Sequence, residues 1–194
     1  CNLNYKIAAI SSVSGAAFIG AFGNCDLYHP TAVLTINGTT DNEHPYNDQS
    51  GVFFPVPDIS EFWANHNNTD QTPVVATIPD YDPNDGSTVE RYSWLNGDNC
   101  VYVEELKVIY GGHQWPGTFG NMDIDASNET WRFVSKFNTS GLINCSSTNT
   151  KNQQLVLDGR LVKRVNLLGK EVKNSSFVID LFDNGNSKKI FMIK

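Results

Sequence analysis

Residues 6–12, Lys-Ile-Ala-Ala-Ile-Ser-Ser, and residues 32–36, Ala-Val-Leu-Thr-Ile, are short apolar runs without clean alternation of polar and apolar positions. That pattern suits strands covered on both faces of a parallel sheet, where neither side meets water. Between them, residues 15–30 hold three glycines and a cysteine and predict irregular chain. Asp58-Ile-Ser-Glu61 reads as a capping box opening a helix through Phe62, Trp63 and Ala64. Residues 88–94 and 101–110 read as strands on either side of a hairpin-type turn, Leu95-Asn-Gly-Asp-Asn99. Asp125 is placed to cap a last helix, because Thr130, Phe133, Val134 and Phe137 recur at helical spacing. Strands alternating with helices predict an α/β architecture.

The pattern changes near residue 150. Residues 155–172 and 176–194 are short strand-like runs broken by Gly turns, and Asp183-Asn-Gly-Asn186 is a hairpin signal. Charge changes with it. Residues 151–194 carry nine Lys/Arg and four Asp/Glu, against five and 17 in residues 1–150. A break of this size marks a domain boundary. The expected organisation is a larger domain over residues 1–137, a polar linker over 138–153 and a small β-rich domain over 154–194.

Composition narrows the function classes. A chain 40% hydrophobic and 18% charged suits a folded globular protein rather than a disordered one. No apolar run approaches the roughly 20 residues needed to cross a bilayer, so no transmembrane segment is expected. The acidic larger part is a poor nucleic-acid binder, since phosphate contacts need clustered Lys/Arg. Residues 80–86 invite a calcium reading, but the Gly falls one position late for an EF-hand loop and position twelve is Arg91. No Cys/His spacing suggests zinc, and neither a metal nor a cofactor is expected. Four cysteines allow three pairings. Cys1 and Cys25 flank the first strand block and form the favoured pair; Cys100 and Cys145 either pair or stay free. Cys1 leads almost at once into an apolar strand, so the chain is expected to continue upstream of it. A lipidated mature terminus is the lesser alternative.

The candidate chemistry sits in two loops that each follow a strand. Asn37-Gly-Thr-Thr-Asp41 follows the second strand, and Gly111-Gly-His-Gln-Trp-Pro-Gly117 follows the run ending at Tyr110. Glycines let the chain turn sharply there, and a strand-end loop is where an imidazole can reach a reacting centre. Asp41 and His113 are therefore the candidate catalytic residues. They stand in the order of the last two members of a Ser, then Asp, then His triad. The first member is missing: no Gly-x-Ser-x-Gly pentad occurs. Ser14-Gly15 lacks the preceding glycine and closes the wrong strand.

Three blocks carry a resemblance to secreted esterases of the polyhydroxybutyrate depolymerase, feruloyl esterase and acetylxylan esterase type. Residues 6–15 resemble the strand after the nucleophile helix, and residues 37–46, Asn-Gly-Thr-Thr-Asp-Asn-Glu-His-Pro-Tyr, resemble the acid loop. Residues 111–117, with 123–133, resemble the histidine loop and final helix. Two positions depart from the pattern: Asn37 stands where a His is usual, and His44 where a Val is common. The resemblance implies an α/β fold. It would be a partial α/β-hydrolase, a parallel sheet with flanking helices and its N-terminal half absent, followed by a small all-β C-terminal domain. It implies a serine ester hydrolase whose Ser lies upstream of Cys1, so this chain alone is expected to be inactive. The expected substrate is a polyester or plant cell-wall ester. Trp115, Tyr46 and His44, beside the two loops, are the candidate substrate-binding residues. The last 44 or so residues, with Leu-Leu-Gly-Lys-Glu-Val, the Asp-Asn-Gly turn and the closing Lys-Lys-Ile-Phe-Met-Ile-Lys, resemble a Bacteroidetes type nine secretion sorting domain. That implies a secretion-machinery partner and a secreted or cell-surface protein reached via the periplasm. The competing reading is a non-catalytic secreted binding or adhesion module with a degenerate hydrolase fold.

Overall fold

The computed structural model describes residues 3–23, 25, 27–145, 161–165, 170, 172, 177–182 and 187–191. The chain divides into two compact units, Cys1–Ser147 and Thr148–Lys194. In the first unit, strands β1 (Ala9–Val13), β2 (Ala32–Gly38), β3 (Val74–Thr77), β4 (Thr88–Trp94) and β5 (Val103–Ile109) form one sheet. Their order is β1-β2-β5-β4-β3. Helices α1 (Val56–His66) and α2 (Ala126–Val134) are the two α-helices among the described residues.

This corrects the expected fold class. The sheet is mixed, not parallel: β1, β2 and β5 run parallel, while β4 is antiparallel to β5 and β3 to β4. With that order and two helices, it is not the helix-flanked parallel sheet of a partial α/β-hydrolase. The physical reason lies in the connection after Trp94. Parallel neighbours need a crossover of a dozen or more residues. Residues 95–102 make a tight link containing the 3-10 turn Asp98–Cys100, which leaves only antiparallel pairing. β3 was not foreseen; its four residues are all exposed at the sheet edge, so no buried face marks them in the sequence.

Strand β2 is buried along its whole length and so serves two cores. Ala32, Leu34 and Ile36 join Leu106, Val108 and Val89 in a cluster with Phe133 of α2. Val33, one residue out of phase and on the opposite face, joins Val103 and Trp94 with Ile59, Trp63 and Ala64 of α1. Helix α2 begins as its sequence predicts: the Asp125 side chain accepts from the Asn128 amide at 2.8 Å. Helix α1 starts earlier than expected. Its N-cap is Pro55, with proline also in the first turn and no side-chain cap, so Asp58 sits inside the first turn and not at the cap.

After α2, β6 (Phe137–Asn138) and β7 (Gly141–Leu142) form a small hairpin that runs from the last residue of the expected larger domain into the stretch expected to be a linker. Cys145 follows it and is disulfide-bonded to Cys100. In the second unit, β8 (Leu161–Val165), β9 (Phe177–Phe182) and β10 (Ser187–Phe191) form an antiparallel sheet of order β10-β9-β8. The hairpin signal at 183–186 lies outside the described residues. No helix among the described residues is long and apolar enough to cross a membrane.

Candidate active site

β2 and β5 are parallel neighbours in register from Val33↔Val103 to Gly38↔Val108, so the loops leaving their C-terminal ends emerge side by side. The contact between those loops depends on Gly38. A Cβ there would lie 2.2 Å from the Gly111 carbonyl oxygen. Amides of Thr39 and Thr40 donate to the carbonyls of Val108 and Gly111, each at 2.9 Å, and the Tyr110 amide donates back to Thr39 Oγ1 at 2.8 Å. The two loops are thus tied together before either reaches its candidate residue.

Asp41 and His113 are brought together. His113 Nδ1 lies 2.9 Å from Asp41 Oδ2. The other carboxylate oxygen, Oδ1, accepts from the amides of Glu43 and His44, both at 2.8 Å. The Asp41 side chain is 0% exposed and that of His113 is 43% exposed. The carboxylate is therefore buried and fully oriented, while the imidazole reaches the surface. Nε2 of His113 has no hydrogen-bond partner among the described residues.

His44 adjoins this pair. Its ring stands edge-on to the His113 ring, with centroids 5.1 Å apart, and its Nδ1 lies 2.7 Å from the Ser14 carbonyl. On its other side it meets Phe53 at 5.2 Å, and Phe53 meets Phe18 at 5.0 Å. Phe18 is 64% exposed. Backbone bonds from Ile19 to Val52 and from Phe54 to Ala17 stitch the two segments carrying these rings. A line of ring contacts thus runs outward from His113 through His44 and Phe53 to Phe18.

Ser14 follows the end of β1 with φ +48°, and its Oγ donates to the Gln114 carbonyl at 2.7 Å. The hydroxyl is spent on stapling the histidine loop, with no bond to His113. Asn37 is buried and donates from Nδ2 to the Gly15 carbonyl at 3.0 Å.

The other two expected substrate-binding residues differ in exposure. Trp115 is partly exposed on the histidine loop, its indole donating to Ser127 Oγ at 3.2 Å. Tyr46 is buried and donates to Glu105 of β5. Ser60 of α1 donates to the same carboxylate at 2.8 Å. Burial pushes the Glu105 pKa up, against the opposing pull of the Tyr46 and Ser60 hydrogen bonds and of Lys107. Tyr46 is itself pushed up strongly, first by burial and then by the Glu105 charge beside it. Cys25 is disulfide-bonded, and Cys1, the partner expected for it, lies outside the described residues. Asp82 and Asp85 of the 80–86 loop accept hydrogen bonds within the chain. Asp85 accepts from the amides of Ser87 and Met122, both at 2.7 Å, and Asp123 accepts from the Tyr81 amide at 2.6 Å.

The sequence reading missed Phe18, Phe53, Ser60 and Glu105 as neighbours of these loops. Glu104-Glu105 inside an otherwise apolar strand was the available signal for a buried carboxylate. No protein-family model matches the chain, and no curated protein matches it. The esterase and sorting-domain resemblances stand on their quoted motifs alone.

Proposed function

We propose that Asp41 and His113 are the acid and base of a Ser-Asp-His triad in a secreted serine ester hydrolase. The nucleophilic Ser would be supplied from outside this chain. The observation that carries the reading is the buried, doubly anchored Asp41 carboxylate holding His113 Nδ1 at 2.9 Å, with Nε2 unengaged. A carboxylate can only accept, so Nδ1 carries the proton and Nε2 is left with its lone pair. That lone pair takes the proton from a Ser hydroxyl as its oxygen attacks the ester carbonyl, and the imidazolium then returns the proton to the departing alcohol. Water repeats the sequence on the acyl-enzyme and releases the acid.

The exposed Phe18 ring, packed on Phe53, supports an ester with apolar substituents, in keeping with a polyester or a plant cell-wall ester. The Cys100–Cys145 disulfide supports an oxidising destination, since such bonds persist outside the cytosol. The antiparallel three-stranded second unit is the proposed sorting domain, through which the secretion machinery would bring the protein to the surface or the medium. The deciding experiment measures hydrolysis of a short p-nitrophenyl ester by the full-length protein and its His113→Ala variant. Turnover that survives in the variant, or is absent from the parent, would sink the proposal; absence would leave the binding-module reading in its place.

A further inference from the structure

We propose that His44 is a positioning residue that fixes both partners of the Asp41–His113 pair. The esterase reading gives this a consequence for turnover, but the geometry stands without it. Three strand ends meet here, and a circuit of hydrogen bonds joins them. Asp41 Oδ2 binds His113 Nδ1 at 2.9 Å, and the residue after His113, Gln114, accepts from Ser14 Oγ at 2.7 Å. The Ser14 carbonyl lies 2.7 Å from His44 Nδ1, and the His44 amide donates to Asp41 Oδ1 at 2.8 Å. His44 is the residue that touches the acid through its backbone and the base through its ring.

The need for it follows from the histidine loop. His113 sits between Gly112 and a Gln-Trp-Pro-Gly turn, and a single hydrogen bond orients its ring. One bond along the Nδ1 direction leaves the ring free to swing about that direction. The His44 ring, wedged edge-on between His113 and Phe53 at 5.1 and 5.2 Å, removes that freedom. The wedge is itself anchored. A carbonyl cannot donate, so His44 Nδ1 carries the proton in its bond to Ser14. Neutral His44 is then the Nδ1-protonated tautomer, with an unprotonated Nε2.

The test separates ring from donor. His44→Ala removes both, His44→Phe keeps a ring without the donor, and His44→Asn keeps a donor without the ring. All three retain the amide that holds Asp41. In the full-length protein, the downfield proton resonance of His113 Nδ1–H reports the bond to Asp41, and Asp41→Asn identifies it by abolishing it. The expected result is a sharp resonance in the parent, loss or broadening in His44→Ala, and partial recovery in the other two. On an ester substrate kcat falls on the order of 10- to 100-fold in His44→Ala, as misplacement of a catalytic group does, with KM little changed. A resonance and kcat equal to the parent's in His44→Ala overturn the proposal. Should that variant fail to fold, parental values in both His44→Phe and His44→Asn do the same. If no variant and no parent turns over ester while the resonance still depends on His44, the esterase reading fails and the positioning role stands.

Discussion

Asp41 uses its two oxygens for different tasks, and that division sets what an amide would do in its place. In Asp41→Asn the oxygen can keep the Glu43 and His44 amides, leaving the NH₂ group facing His113 Nδ1. An NH₂ donor forces Nδ1 to accept and moves the imidazole proton to Nε2, the wrong tautomer for a base. If the pair belongs to the proposed triad, Asp41→Asn should lose about 10⁴ in kcat with its geometry intact. His113→Ala, which removes the proposed base outright, is expected to lose on the order of 10⁶. Ser14→Ala loses only the staple to Gln114, one hydrogen bond worth ~1 kcal/mol, so kcat should stay within a few fold. The check is kcat for the three variants beside matched thermal melts. A folded but dead Ser14→Ala would make Ser14 the nucleophile and undo the assignment. The proximity of Asp41 and His113 was legible because each stands in a glycine-bearing loop after a strand. The burial of Tyr46 was not legible, because adjacency in sequence to a candidate loop says nothing about which way the ring faces. Its partner, Glu105, is 59 residues away.

At the level of elements, β5 carries a carboxylate inside the sheet core. Burial raises the Glu105 pKa, so the folded state favours the protonated form more than the unfolded chain does. The stabilisation from that proton is fully present below the unfolded value of about 4.3 and is lost as pH rises through the higher folded value. Glu105→Gln keeps a group able to accept from Tyr46 and does not titrate. Its stability relative to the parent should therefore increase between about pH 4 and neutrality, measured by urea unfolding at a series of pH values. Other carboxylates titrate in both proteins and cancel in the difference. A difference that stays flat across that range would show that Glu105 ionises no differently in the two states. The elements themselves were mostly legible, for physical reasons that also mark where legibility ended. β2 and α2 announced themselves through an apolar run and a capped amphipathic pattern. The parallel sheet did not follow, because the hairpin turn at 95–99 already ruled it out for β4 and β5. β3 buries no face, so hydrophobic patterning could not reveal it.

For the whole molecule, the charge break and the division into Cys1–Ser147 and Thr148–Lys194 place the boundary in the same region. The first unit extends past the helix α2 through the β6–β7 hairpin, and the Cys100–Cys145 bond ties its end to the turn before β5. A link closing 45 residues constrains the unfolded chain, and removing such a bond costs about 2–4 kcal/mol. Cys100→Ser with Cys145→Ser should lower the denaturation midpoint accordingly, without touching the His113–Asp41 geometry. Two truncations of the full-length protein then separate stability from export. One ends at Ser147 and keeps hairpin and disulfide; the other ends at Phe137 and loses both. If the second unit is a sorting domain, the longer truncation should hydrolyse ester at the parent's rate but remain in the periplasm. The shorter one should share the export defect and in addition melt at lower temperature, because Phe137 loses its Leu142 strand partner and the disulfide is gone. Cell fractionation with an activity assay on each fraction gives the answer. Release of the longer truncation into the medium would end the sorting reading, and loss of its activity while folded would mean that the second unit serves the active site.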